Sequence, residues 1–332
     1  YYNPHTHTRT MVVLVPPHLL ENSPSAQDDI PSSDEESLRN YGADLILRSG
    51  KLLKLPLMTV ASAAAIYQRF YFAKSFADFD ARSVAAASVA LATKLDENVR
   101  RLPDVILVFY RLEMLESLDG EEDDVKGSSI PPLEIGGPAF ESRKEKVVRA
   151  ERNILRELGF EVNMFLDLPH HYVLRYASAL FGDPSAKGSK SRSIVQTSWN
   201  SANDSLRTTL CCSHQPDVIA AAAVFLAARS LNIPVPKRPP WHASLEVDQT
   251  ETKRVAGILH SLAGKPKPCY ITVPPKKKVP KSQPMASPLT DSIAPCSPPA
   301  DASEDKSDSE SPTGDRARAV KRARRGVSDG DL

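Results

Sequence analysis

Glu151 is the residue of this chain whose position most needs a chemical explanation. At 100° per residue, Val147, Val148, Ala150, Ile154, Leu155 and Leu158 form one continuous apolar arc, and Glu151 falls near its middle. A carboxylate buried without a partner is costly, so it is paired, neutralised or not truly buried. Lys94 is the matching cation, at the end of an Ala-rich helix. Each has a plain structural reading. Glu151 can sit at a boundary where the apolar face meets only a loop, and a cation in the last turn of a helix is favoured by the helix dipole. Taken together, two opposite charges beside Leu95, Leu155 and Phe160 suit a docking patch that hydrogen-bonds the backbone of an incoming helix or loop. That is binding chemistry. Nothing in the sequence spells catalysis: His170-His171 and the other histidines form no motif, and no glycine-rich phosphate fingerprint occurs. Adjacent Cys211 and Cys212, with Cys269 and Cys296, give neither a disulfide framework nor zinc-ligand spacing, so no metal or other cofactor is implied.

The elements that hold these charges are helices, and one of them is written twice. Residues 84–94 read VAAASVALATK and residues 219–229 read IAAAAVFLAAR. A helix that is small and apolar on every face is buried on all sides. The fold class expected is therefore all-α, two similar bundles each wrapped around its own central helix. The copies differ at their exits. The first runs into KLDEN, with Lys94, Asp96 and Glu97, and the second into RSLNI after Arg229.

Around the first copy, Ser33 and Glu36 fit a capping box, opening a helix over 34–55. Pro56 opens a second helix through Phe76, Asp80 caps the third, and Pro103 opens a fourth. Residues 119–140 read as a long surface loop, and a fifth helix spans 142–158 and stops at Gly159. The second half shows helical pattern in DLPHHYVLRYASAL, SIVQTSWNSANDSLRTTL, PDVIAAAAVFLAARSL and DQTETKRVAGILHSLAG. The division expected is an unstructured segment over 1–33, a first bundle over 34–162, a second over 163–264, and a disordered Pro/Ser/Lys-rich tail over 265–332.

With 332 residues and 41% hydrophobic composition, the chain can build two real cores, although 28 prolines pull it towards loop. Its formal charge of +1 hides local asymmetry and points to no partner. No apolar run has the length of a membrane span, and MVVLVPP from Met11 is too short for a secretory signal. The residues before Met11 read as an extension upstream of a native start. The expected setting is reduced and intracellular.

LATKLDEN followed by RAERNILRELGF resembles the cyclin box, in which a Lys and a Glu at these positions grip the C-helix region of a cyclin-dependent kinase. Lys94 and Glu151 match those positions, and Leu95, Glu97, Leu155 and Phe160 match neighbouring contact positions. The segments ADLILRSGKLLKLPLMTVASAAAIYQRFYFAKSF, WNSANDSLRTTL and QPDVIAAAAVFLAARSLNIPVPKRPPW narrow the resemblance to the cyclin L family of transcription and splicing cyclins, over residues 35–262. NDSLRTT is also similar to cyclin K relatives. The resemblance implies a tandem cyclin-box fold of two five-helix bundles. It implies a non-catalytic subunit that activates a cyclin-dependent Ser/Thr kinase in RNA polymerase II transcription and pre-mRNA processing, with transcription or splicing machinery as further partners. Only scattered pairs such as Arg192-Ser193 stand where animal cyclin L proteins can carry an Arg-Ser repeat tail. A second reading from another class is a B-type general transcription factor, which shares the duplicated bundle and binds DNA. It would need an N-terminal zinc ribbon, and this N-terminal region holds no cysteine.

In the tail, Lys276, Lys277 and Lys278 form one basic cluster and Lys321, Arg322, Arg324 and Arg325 another. Each resembles a nuclear import signal, against the plain reading of a solvated charge run. Two together favour a nuclear address. Ser287, Ser297 and Ser311 precede prolines and are candidate phosphorylation sites.

Overall fold

The computed structural model describes residues 12–117, 130–160, 162, 166–183, 190–262 and 268–274, and contains no strand among them. The helices are α1 (Pro17–Glu21), α2 (Ser32–Leu52), α3 (Leu57–Phe70), α4 (Ala81–Leu95), α5 (Leu102–Ser117), α6 (Pro138–Glu157), α7 (His170–Phe181), α8 (Lys190–Ser205), α9 (Leu210–Ser213), α10 (Pro216–Ser230), α11 (Trp241–Ser244) and α12 (Gln249–Leu262).

The duplicated alanine-rich helices are the two hubs. In the first bundle α4 packs against α2, α3, α5 and α6, and every residue from Val84 to Thr93 is buried. In the second, α10 packs against α7, α8 and α12, with Pro216 to Val224 buried without a break. Alanine at nearly every position keeps neighbouring backbones close, where a larger side chain would have to push a helix away. Among the described residues the second bundle has four long helices, with the single turns α9 and α11 between them.

Close approach is also built into α2. A Cβ on Gly42 would meet the Tyr67 ring, and one on Gly50 would meet Val60, so both glycines let α3 lie directly against α2. The Tyr67 hydroxyl donates to the Leu38 carbonyl at 2.8 Å. Arg39, buried in the same seam, donates to the carbonyls of Gln68 at 2.8 Å and Tyr71 at 3.0 Å, and to Glu35 at 2.8 Å. Its charge is thus paired and hydrogen-bonded, as a buried cation requires. The two bundles join where Arg207 reaches Asp44 at 3.0 Å and Gln68 donates to the Leu206 carbonyl at 3.4 Å.

Several local expectations need correction. Helix α2 begins at Ser32 behind Pro31, so Ser33 lies inside it; the Ser33 hydroxyl donates to Asp34 at 3.2 Å and no capping box forms. Helix α3 stops at Phe70, because Tyr71 and Phe76 turn inward and stack at 3.6 Å. Helix α6 starts at Pro138, ahead of Ser142. Asp80 does cap α4, accepting from the Ser83 amide at 3.1 Å.

Two segments expected to be unstructured are packed. From residue 12 onward the N-terminal segment docks at the junction of the bundles. The Val15 amide donates to the Cys212 carbonyl at 2.9 Å, and the Gln215 side chain brackets Val12 with bonds of 3.0 and 2.9 Å. Arg69 donates to the Val13 carbonyl, and Val12, Val15, Ser25 and Ile30 are buried. At the other end, residues 268–274 lie on the first bundle, with Tyr270, Ile271 and Val273 against its core. Both segments bury isolated side chains rather than a periodic face, so no period announces them.

Candidate protein-docking site

Lys94 and Glu151 meet where the C-terminal halves of α4 and α6 pack together. Lys94 Nζ lies 2.5 Å from Glu151 Oε1, with 53% of the lysine side chain exposed and 15% of the glutamate. Glu151 is therefore not stranded in the core: Val147, Ala150 and Ile154 on its arc are buried, while Leu155 and Leu158 are half-buried. An ion pair this open to water contributes on the order of 0–1 kcal/mol to the fold. Its ammonium still has donors to offer to a partner.

The backbone around the pair is fixed. The Asp96 amide donates to the Ala92 carbonyl at 3.0 Å, closing α4. Glu97 follows in the left-handed region with φ 57° and is exposed. Asn98 holds the turn by donating to the Asp96 carbonyl at 2.9 Å, and Arg100 pins the next residues to the Leu53 carbonyl at 3.1 Å. At the end of α6, Gly159 takes φ 79° and the Phe160 amide bonds back to the Leu155 carbonyl at 3.0 Å. This six-to-one closure is a Schellman turn. It presents Phe160 to solvent, 72% exposed.

The result is a charged pair in an apolar setting. Leu95 and Leu155 are half-buried beside it, and Phe160 and Val99 are large apolar side chains left in water. Val99, 63% exposed, is a member that the sequence reading missed. Its signal was faint: one apolar residue between Asn98 and Arg100, directly after the α4 exit.

Among the described residues the second bundle has no equivalent of this pair. Arg229, at the position of Lys94 in the repeat, is exposed and lies 5.9 Å from the Phe225 ring centroid. Among the described residues it forms no ion pair. Of the paired histidines, His170 is buried rather than at the surface. Its Nε2 lies 2.9 Å from the Asn203 side-chain oxygen, and burial pushes its pKa below the usual histidine value, so it is a neutral core residue. His171 faces Asp167 at 3.1 Å. The basic clusters at 276–278 and 321–325, and Ser287, Ser297 and Ser311, lie outside the described residues.

The family profile described as "Cyclin, N-terminal domain" matches residues 17–163. Cyclin-L1-1 of Arabidopsis thaliana is 39% identical over 254 residues, which are 76% of this chain and 56% of that protein. Cyclin-L1 of Homo sapiens is 35% identical over 257 residues, 77% of this chain and 45% of that protein. The chain thus spans about half the length of the relatives it matches. Among solved structures, a chain in the crystal structure of the yeast RNA Pol II CTD kinase CTDK-1 complex aligns with a TM-score of 0.56 at 17% identity. The alignment covers 75% of this chain and 72% of that one, and marks a shared fold.

Proposed function

The chain belongs to the cyclin L family, and on that premise we propose that it is a non-catalytic subunit that binds and activates a cyclin-dependent Ser/Thr protein kinase. A protein kinase needs an ion pair between a Lys of its sheet and a Glu of its C-helix, and the position of that helix controls the pair. A rigid face that binds the C-helix only in its inward position converts binding energy into activation. The exits of α4 and α6 form such a face. Lys94 and Glu151 offer a donor and an acceptor to the kinase backbone, and Leu95, Val99, Leu155 and Phe160 supply apolar contact around them.

The observation that carries this reading is the pairing of a half-exposed Lys94 with Glu151 beside exposed Phe160, in the first bundle and not among the described residues of the second. Affinity purification of the tagged chain, followed by identification and assay of the bound kinase, tests it. Recovery of no kinase, or of one whose activity is indifferent to the chain, would reject it.

We also propose the finer assignment, a kinase acting in RNA polymerase II transcription and pre-mRNA processing inside the nucleus. Its support is the set of cyclin L segments around SGKLLKLP and IPVPKRPPW and the two basic clusters of the tail. Phosphorylation of a polymerase C-terminal repeat peptide by the purified complex is the corresponding assay.

A further inference from the structure

Cys211 and Cys212 are neighbours in α9, with their sulfurs 3.8 Å apart. Cys212 is buried and Cys211 is partly exposed. The pair lies beneath the N-terminal segment: Val15, Leu19 and Leu20 pack with Phe72 against the two cysteines. The Val15 amide donates to the Cys212 carbonyl at 2.9 Å. That carbonyl is aimed by α9, a single turn closed by the Cys212 amide on Thr209 and the His214 amide on Leu210, both at 2.9 Å. Arg69, which donates to the Val13 carbonyl, also acts on both sulfurs through its charge. One small cluster thus holds two thiols, a cation and the anchor of the segment.

The two thiols differ. A hydrogen bond from Cys211 holds the Cys212 thiol below its usual pKa, and the charges of Arg69 and Arg39 pull the same way against burial. Thiolates rather than thiols attack oxidants, and a sulfenic acid with a thiol beside it condenses to a disulfide. The N-terminal segment covers Cys212, so an oxidant reaches that sulfur when the segment lifts. A bond between adjacent cysteines is not neutral for the fold. Neighbouring Cα atoms are about 3.8 Å apart, closer than the roughly 4.4–6.8 Å of ordinary disulfides. The eight-membered ring does not fit a helical turn, so α9 unwinds and the carbonyl that receives Val15 turns away.

We propose that Cys211 and Cys212 are a reversible oxidation site for a hydroperoxide, and that closing their disulfide releases residues 12–20 from the junction of the bundles. The Cys212 sulfur attacks one oxygen of hydrogen peroxide, the O–O bond breaks, and hydroxide leaves and takes up a proton as water. The Cys211 sulfur then attacks the sulfenic sulfur of Cys212. The S–S bond forms, and the expelled hydroxide takes the Cys211 proton as a second water. Two thiols lose two electrons and two protons, and the peroxide gains them. The strained ring is readily reduced by a cellular thiol such as glutathione, which returns the electrons and is itself oxidised to its disulfide. The released segment also lines a cavity of about 370 Å³ with Phe72, Glu157, Leu158 and Gly159, ending one residue short of Phe160. An effect of release on kinase binding rests on the function proposed above; the thiol chemistry and the release itself do not.

The test uses the full chain with Cys269→Ser and Cys296→Ser, so that only the pair can respond. Hydrogen peroxide followed by alkylation and mass spectrometry should yield a peptide holding both cysteines, unalkylated and two hydrogens lighter, and dithiothreitol should restore it. Hydrogen exchange at 12–15 should rise severalfold in the oxidised chain while that of α4 stays unchanged. Gln215→Ala, which loosens the segment without touching either sulfur, should speed closure severalfold, because release and oxidation are linked. Adding Cys211→Ala and Cys212→Ala should abolish the response of 12–15 to peroxide. Recovery of sulfinic acid or intermolecular dimers in place of the internal disulfide overturns the proposal. So does a disulfide that leaves exchange at 12–15 unchanged, or one that also strips protection from α4, which is global unfolding. Equal closure rates with and without Gln215→Ala, or a response of 12–15 that survives loss of both cysteines, reject it as well.

Discussion

Lys94 and Glu151 form a pair that the fold hardly needs. With half of the lysine side chain in water, their attraction adds on the order of 0–1 kcal/mol to stability, while an interface hot spot is worth about 2 kcal/mol or more. Lys94→Ala and Glu151→Ala should therefore each weaken kinase binding by about 30-fold with little change in melting temperature. Calorimetric titration beside thermal melts checks this, and unchanged affinity with a large drop in melting temperature would make the pair structural. Tyr270 offers a second test at single-residue scale. Burial raises its pKa to about 12, reinforced by the charge of Asp80 and by the hydrogen bond to it, and Arg82 opposes the rise. A raised pKa means the neutral phenol is the form that docks. The contact is fully present below the ordinary value of 10.0 and is lost as pH climbs through about 12. The phenolate absorbance of wild type minus that of Tyr270→Phe should titrate well above 10, and a midpoint at the ordinary value would show that Tyr270 does not hold the contact with Asp80.

The helices that position the site were legible because they repeat a pattern and bury a face. Alternation of Ala with Val and Leu marked α4 and α10 as hubs, Asp80 announced its cap, and Gly159 announced the end of α6. What the sequence concealed was stabilised by single side chains. Val12, Val15 and Tyr270 each dock in isolation, and the Ser33–Glu36 signature was overridden by Pro31, which opens α2 two residues sooner. The burial of His170 was likewise invisible, since it depends on Asn203 and on Trp199, whose ring lies 5.1 Å away. Two expectations belong to this scale. Gln215→Ala removes both bonds that bracket Val12, each worth about 1 kcal/mol; hydrogen exchange at 12–15 should rise while that of α4 does not. Arg229→Glu, at the exit of the second hub, should leave kinase activation nearly intact, because Arg229 has no Glu151 counterpart. Loss of activation as complete as that from Glu151 reversal would show that both bundles share the contact.

At the scale of the whole chain, we propose that the helical core carries the kinase contact and the basic clusters of the tail the address. The described part of the docked segment runs to Pro274, and the first import-like cluster begins at Lys276. From Pro275 onward the sequence is rich in Pro, Ser, Lys, Arg and acidic residues. Clusters of Lys and Arg in such a context are what import receptors read. Deleting residues 275–332 should shift the protein towards the cytoplasm while leaving its kinase complex intact in vitro. A cyclin can also enter the nucleus by riding on its kinase, so the deletion alone does not isolate the signal. Moving residues 275–332 onto a large inert reporter does. The reporter should accumulate in the nucleus and lose that accumulation when Lys276, Lys277, Lys278, Lys321, Arg322, Arg324 and Arg325 are all changed to alanine. A reporter that stays cytoplasmic with both clusters intact returns them to the status of solvated charge. Nuclear entry would then have to come from the kinase proposed to dock at Lys94 and Glu151.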